Sequence, residues 1–293
     1  MGSQRSLLSA IGITAIDRHA RIGEQLKPAA QDHFETLPAG RRNWAVAAIH
    51  GEADRLRALH RRLAERIQVG ENLVYLGNFL GRGNAVAETI EELLLFRRAL
   101  LARPGAEYDD IVYLRGSQEE MWHKLLQIQF APNPREILEW MLDQGVAPTL
   151  AAYGGTVEEA RSAGNGGALV LTKWTSSLRA AMRGADGHTM LMSVLRRAAF
   201  TEDKALLFVH AGIDATRPLS EQHDSFWWGG KDFDDIEAPY GGFRRVVRGF
   251  DRRHRGLEVK AATATVDGAC GFGGPLLAAC FDADGELVDT IEA

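Results

Sequence analysis

Short apolar runs at regular intervals set the frame of this chain. Asn43 to Ile49, Asn72 to Leu76 and Asp110 to Leu114 have the length and character of strands buried on both faces. Each is followed by glycine and then by a helical pattern. Ala53, Leu56, Leu59, Leu63 and Ile67 recur at helical spacing in an arginine-rich stretch, and Val86, Ile90, Leu93, Leu94 and Leu100 do so further on. Strand, glycine turn and helix thus repeat three times before residue 130, which predicts βαβ units.

A fourth helix is expected from Asn133 as N-cap and Pro134 at the first helical position, with Ile137, Leu138 and Met141 apolar and Gly145 as the stop. Ala151 to Gly187 holds Gly154-Gly155, Gly164 and Gly166-Gly167 among few apolar positions, and predicts a loop-and-helix excursion covering a sheet edge. From Ala205 the pattern turns to strands: Ala205 to Val209, Arg244 to Val247, Glu258 to Val266, then Leu276 to Phe281 and Glu286 to Ile291 around a hairpin turn at Asp284-Gly285. No polar linker divides the sequence. One α/β domain with two packed sheets is the expected architecture.

Composition narrows the function classes. The 293 residues carry 34 Lys plus Arg against 39 Asp plus Glu, a net charge of -5, which argues against general nucleic-acid binding. An apolar fraction of 45% with 25% charged residues is that of a globular protein. No run approaches the roughly 18 to 20 apolar residues that span a bilayer, so no transmembrane segment is expected. Cys270 and Cys280 are too few for a disulfide scaffold, and a reducing, cytoplasmic address follows by default. Residues 1–42 read as an N-terminal extension to a domain spanning 43–293. Leu7, Leu8, Ile11, Ile13, Ile16, Ile22 and Leu26 make the extension more apolar than a free tail, so it is expected to pack on the domain or on a partner. The arginines at 55, 57, 61, 62 and 66 read as a solvated helix face, and Trp227-Trp228 as half core and half loop.

In α/β proteins the chemistry lies at the carboxyl ends of the strands. The turns there read Ala48-Ile49-His50-Gly51, Gly77-Asn78-Phe79-Leu80-Gly81-Arg82-Gly83, Arg115-Gly116-Ser117-Gln118-Glu119, Val209-His210-Ala211-Gly212 and Val247-Arg248-Gly249-Phe250-Asp251. In this order they resemble the blocks GDxHG, GDxxDRG, RGNHE, VHAG and GHT of the PPP-type serine/threonine protein phosphatases in the calcineurin-like metallophosphoesterase superfamily. Smaller echoes are Phe226-Trp227-Trp228, where the bacterial branch has an LLWIR-like run, and Asp267-Gly268-Ala269 before Gly273-Gly274. The resemblance implies an αββα sandwich of two mixed sheets, and a pair of divalent ions whose bridging hydroxide attacks phosphorus.

The departures from those blocks bear most on function. The first-block aspartate falls on Ala48, the bridging aspartate on Asn78, and the aspartate that orients the acid histidine on Gly81. The ligand asparagine falls on Ser117, the general-acid histidine on Gln118 and the GHT histidine on Phe250. His50 and His210 keep their family residues, as does the phosphate-gripping Arg82, while the second such arginine falls on Gly229. No carboxylate remains at the six ligand positions, although paired hard cations need anionic oxygen to offset their repulsion. The expectation is a pseudophosphatase with no cofactor, acting as a binding, regulatory or assembly subunit with a protein partner or with itself. Two alternatives stand beside it. One is a divergent phosphoesterase holding a single manganese, iron or zinc on His50, Asn78 and His210. The other is a metal-free phosphate or phosphopeptide sensor using Arg82 and Arg115. Arg82 is equally placed to pair with Glu119.

Overall fold

The computed structural model describes residues 33–230 and 233–293. Its first half alternates strand and helix: β1 (Phe34–Leu37), β2 (Asn43–Val46), α1 (Ala53–Ala64), β3 (Asn72–Tyr75), α2 (Val86–Leu101), β4 (Ile111–Tyr113) and α3 (Ser117–Leu125). A helical stretch follows: α4 (Pro134–Asp143), α5 (Ala147–Ala152), α6 (Val157–Asn165), α7 (Ala168–Gly184) and α8 (His188–Ser193). The chain then returns to strands: β5 (Ala198–Thr201), β6 (Leu206–Val209), the short α9 (Ser225–Trp228), β7 (Arg245–Arg248), β8 (Glu258–Val259), β9 (Thr263–Thr265), β10 (Leu277–Phe281) and β11 (Leu287–Glu292).

These strands make two mixed sheets flanked by helices, the expected sandwich. One sheet runs β11-β10-β2-β3-β4, with β2, β3 and β4 parallel and the β10–β11 hairpin added antiparallel. The other runs β1-β5-β6-β7-β9-β8. Strand β6 explains why its sequence is an unbroken apolar run: Leu206 and Phe208 enter the main core, whereas Leu207 and Val209 enter a second cluster with Phe226, Phe233 and Phe243. A strand covered on both faces has no polar side to show.

Four features differ from the sequence expectation. Ala151 to Gly187 is mostly helix, because Leu171, Thr175, Leu178 and Met182 form one buried stripe that the intervening polar residues and the glycines ahead of it obscure. Glu258 to Val266 is a tight antiparallel pair, β8 and β9, and not one strand. Strand β5 lies before Ala205, where only four residues, Ala-Ala-Phe-Thr, carry the signal. Strand β1 lies on the amino-terminal side of residue 43 and pairs parallel with β5, so part of the stretch preceding the first family-like block is built into a sheet. The apolar residues Leu7 to Leu26 lie outside the described residues.

The arginine-rich face of α1 is solvated, yet it also ties the helix to β11: Arg66 donates to Asp289 at 2.8 Å and Arg62 to the Glu292 carbonyl. Trp227 is buried and Trp228 packs edge-on against Trp140, with ring centroids 5.5 Å apart, so the pair belongs to the core and cleft wall. No helix among the described residues is long and apolar enough to cross a membrane.

Candidate functional site

Backbone hydrogen bonds draw the five strand-end turns into one cleft. The Ala48 N–H donates to the Gly249 carbonyl at 3.0 Å, His50 N–H to the Asn78 carbonyl at 2.6 Å, and Phe250 N–H to the His210 carbonyl at 3.0 Å. Gly77 and Gly116 are required by proximity, since a Cβ on Gly77 would lie 2.6 Å from the Gly116 nitrogen and one on Gly116 would lie 2.3 Å from the Asn78 nitrogen. Glu119 locks the arrangement from below. Its buried carboxylate accepts N–H bonds from Asn78, Phe79, Leu80 and Gly116, at 2.8 to 3.0 Å. Burial pushes the Glu119 carboxyl upward, and these donors oppose the shift. Glu119 is therefore fully engaged with backbone and does not pair with Arg82.

Asn78 is the hub of the cleft floor. Its Oδ1 accepts from Ser117 Oγ at 3.1 Å and from the Gln118 N–H at 2.9 Å, and its Nδ2 lies 3.3 Å from His50 Nε2. Gln118 donates its side-chain amide to the Gln144 carbonyl at 2.9 Å. Neutral polar groups thus form a connected network, with three atoms left over: His50 Nδ1, His210 Nε2 and Gln118 Oε1 are buried without partners among the described residues.

The two histidines are held as neutral rings. His210 Nδ1 donates to the Leu76 carbonyl at 2.7 Å, leaving Nε2 as the lone-pair nitrogen, and burial lowers its pKa to about 4. Burial lowers His50 well below its ordinary value, helped by repulsion from His210, Arg82 and His254. The Phe250 ring stacks on His210 at 5.5 Å and meets His50 edge-on at 5.6 Å.

This donor set does not fit a pair of hard divalent cations. No group of three or more His, Cys, Asp or Glu that could hold a metal occurs among the described residues. The nearby carboxylates are committed elsewhere, Glu119 to backbone and Asp267 to the N–H groups of Asp251 and Ala269 and to His254. Ala48 offers no donor atom. Gly81 cannot simply regain a side chain: its φ is +84°, and a Cβ would lie 2.4 Å from Gln118 Oε1. Gly229 also has positive φ, at +73°.

Above this floor lies a cavity of about 190 Å³ walled by Arg82, Met121, Gln144, Trp228, Phe250, Arg252, His254 and Phe272. Arg82 crosses the Phe272 ring with its guanidinium 4.2 Å from the centroid, and its buried Nε has no partner. It makes no ion pair among the described residues, nor does the exposed Arg252 at the mouth. Arg115 is placed elsewhere, 3.2 Å from Glu120 at the edge of a different cavity, so the structure does not bring the two expected arginines together. His254 was missed in the sequence although it follows the Phe250 turn by four residues. Its Nδ1 lies 3.0 Å from Asp267, in the Asp-Gly-Ala echo, and its ring packs 4.0 Å from that of Phe272. Backbone strain collects here too: His50, Asn78, Arg82, His254 and Ala269 all adopt positive φ without being glycine.

No family model matches the chain, and no curated protein does so. Solved structures do. A protein described as a diadenosine tetraphosphatase superposes with a TM-score of 0.53 at 19% identity, covering 89% of this chain and 98% of its own. A serine/threonine phosphatase from Saccharomyces cerevisiae gives 0.46 at 15% identity, covering 89% and 84%, and a metallophosphoesterase from Sphaerobacter thermophilus 0.46 at 12%, covering 86% and 88%. The chain has the calcineurin-like metallophosphoesterase fold.

Proposed function

We propose that the protein is a pseudophosphatase, a phosphoesterase fold that works by binding, as a regulatory or assembly subunit with a protein partner or a second copy of itself. The observation that carries this reading is the state of the cage. Asn78 stands at the bridging position as a neutral amide engaged at both ends, and the Phe250 ring sits against both histidines where the family has a further ligand. A divalent pair there lacks the anionic oxygen that would hold it.

The test is elemental analysis of purified protein together with aryl phosphate hydrolysis. The expected outcome is less than stoichiometric manganese, iron or zinc, and no hydrolysis above a buffer blank. Two tightly bound metals per chain contradict the proposal.

A second reading is favoured by Arg82. A charged group with a buried Nε and no acid partner bears an uncompensated desolvation cost, which an anion in the cavity relieves. On this reading the cleft is a metal-free phosphate or phosphopeptide sensor in which Arg252 and His254, not Arg115, complete the grip. Inorganic phosphate is then expected to raise the melting temperature of the wild type and not of Arg82→Gln.

A further inference from the structure

A second cavity lies on the other side of α3, away from the cage. It measures about 230 Å³, is open on one side and is bounded by α3, α7, α8 and the approach to β5. Trp122, Leu126, Met182, Met192 and Leu195 line its interior. Trp122 and Met182 are buried and joined, the indole N–H donating to the Met182 sulfur at 3.3 Å. The indole therefore needs no partner inside the cavity, and the floor is chemically apolar.

Arginines predominate at the rim. Arg115, Arg179 and Arg183 all line the opening, with His123 and Thr189 between them. Arg115 is balanced by Glu120 at 3.2 Å. Arg179 gives its guanidinium to the Leu126 carbonyl, a neutral acceptor. Exposed Arg183 forms no ion pair among the described residues. The pKa of His123 is lowered by burial first and then by Arg115, with Glu120 opposing and Lys124 adding to the shift. The remaining carboxylate at the cavity, Glu119, is turned to the backbone of the cage.

An apolar pocket with Arg183 unpaired at its rim and Arg179 bound only to a neutral carbonyl beside it is complementary to one kind of molecule, an apolar body ending in an anion. We propose that this cavity is a binding site for a small amphipathic carboxylate, its chain against Trp122, Met182 and Met192 and its carboxylate between Arg179 and Arg183. The volume sets the size. At about 30 Å³ per water-sized group it admits about eight such groups, so octanoate fills it with the charged end at the rim. The site is independent of the cage, and its occupancy does not depend on whether the cage holds metal or phosphate.

The experiment is titration of the full-length protein with octanoate, octanol and octylammonium, followed by calorimetry and tryptophan fluorescence. Octanoate is expected to bind at least tenfold tighter than octanol, and octylammonium not detectably. Arg183→Glu removes an exposed side chain without a partner and keeps the fold. It is expected to weaken octanoate at least fivefold while leaving octanol unchanged. Met192→Trp, which fills the cavity from a half-buried position, is expected to abolish binding of both, with the melting temperature reporting that the fold persists. Equal binding of octanoate and octanol, octanoate affinity indifferent to Arg183→Glu, or no binding by the wild type at millimolar octanoate each overturns the proposal.

Discussion

His210 shows how one side chain ties the cleft to stability. Its folded pKa of about 4 lies below the ordinary value of 6.5, so the unfolded chain takes up a proton that the folded one refuses. The stabilisation is complete above pH 6.5 and is lost as pH falls through the window from 6.5 to 4, by about 3 kcal/mol in total. His50, lowered in the same direction, deepens the loss. Denaturant unfolding at pH 7 and pH 4.5 is expected to show this drop, and His210→Phe is expected to make it shallower; an unchanged slope means that the ring is not held neutral. At this scale the sequence was informative about which residues stand in the strand-end turns, because the turns follow one another in a recognisable order. What it lacked was hydrogen-bond geometry. The engagement of Glu119 by four backbone donors, the orphaned Nε of Arg82 and the His254–Asp267 contact depend on loops meeting from distant parts of the chain, and no local pattern announces them.

Elements divide along the same line. Strands β2, β3, β4 and β6 and helices α1 and α2 were legible because each carries an apolar run or stripe at one clear period. Helix α7 was not, since its buried stripe of Leu171, Thr175, Leu178 and Met182 includes a threonine and lies beside a glycine-rich stretch. Its dependence on packing predicts that Leu178→Ala, at a fully buried position, costs about 2–5 kcal/mol in chemical denaturation. A cost under about 0.5 kcal/mol would mean that the helix is peripheral. Strand β1 was hidden by its brevity and by its place ahead of the first recognisable block. Since it pairs with β5 at the edge of a sheet and buries Leu37, a chain beginning at Arg41 is expected to melt lower than one beginning at His33. Equal melting temperatures for the two chains contradict that role.

The whole molecule has the calcineurin-like metallophosphoesterase fold, and its cleft floor is made of neutral and apolar side chains. Tight backbone contacts between the turns hold the cleft frame, which is why substitutions at residues 48, 78, 117, 118 and 250 are expected to leave the fold intact. The combined variant Ala48→Asp, Asn78→Asp, Ser117→Asn, Gln118→His and Phe250→His is expected to gain manganese binding more readily than activity, because Gly81 and Gly229 remain. The most direct measurement is calorimetric titration of manganese into metal-free wild type and into this variant, with elemental analysis of each as purified. The account predicts no stoichiometric metal in the wild type and measurable binding in the folded variant. Two metals tightly bound to the wild type, or a folded variant that binds none, would contradict it.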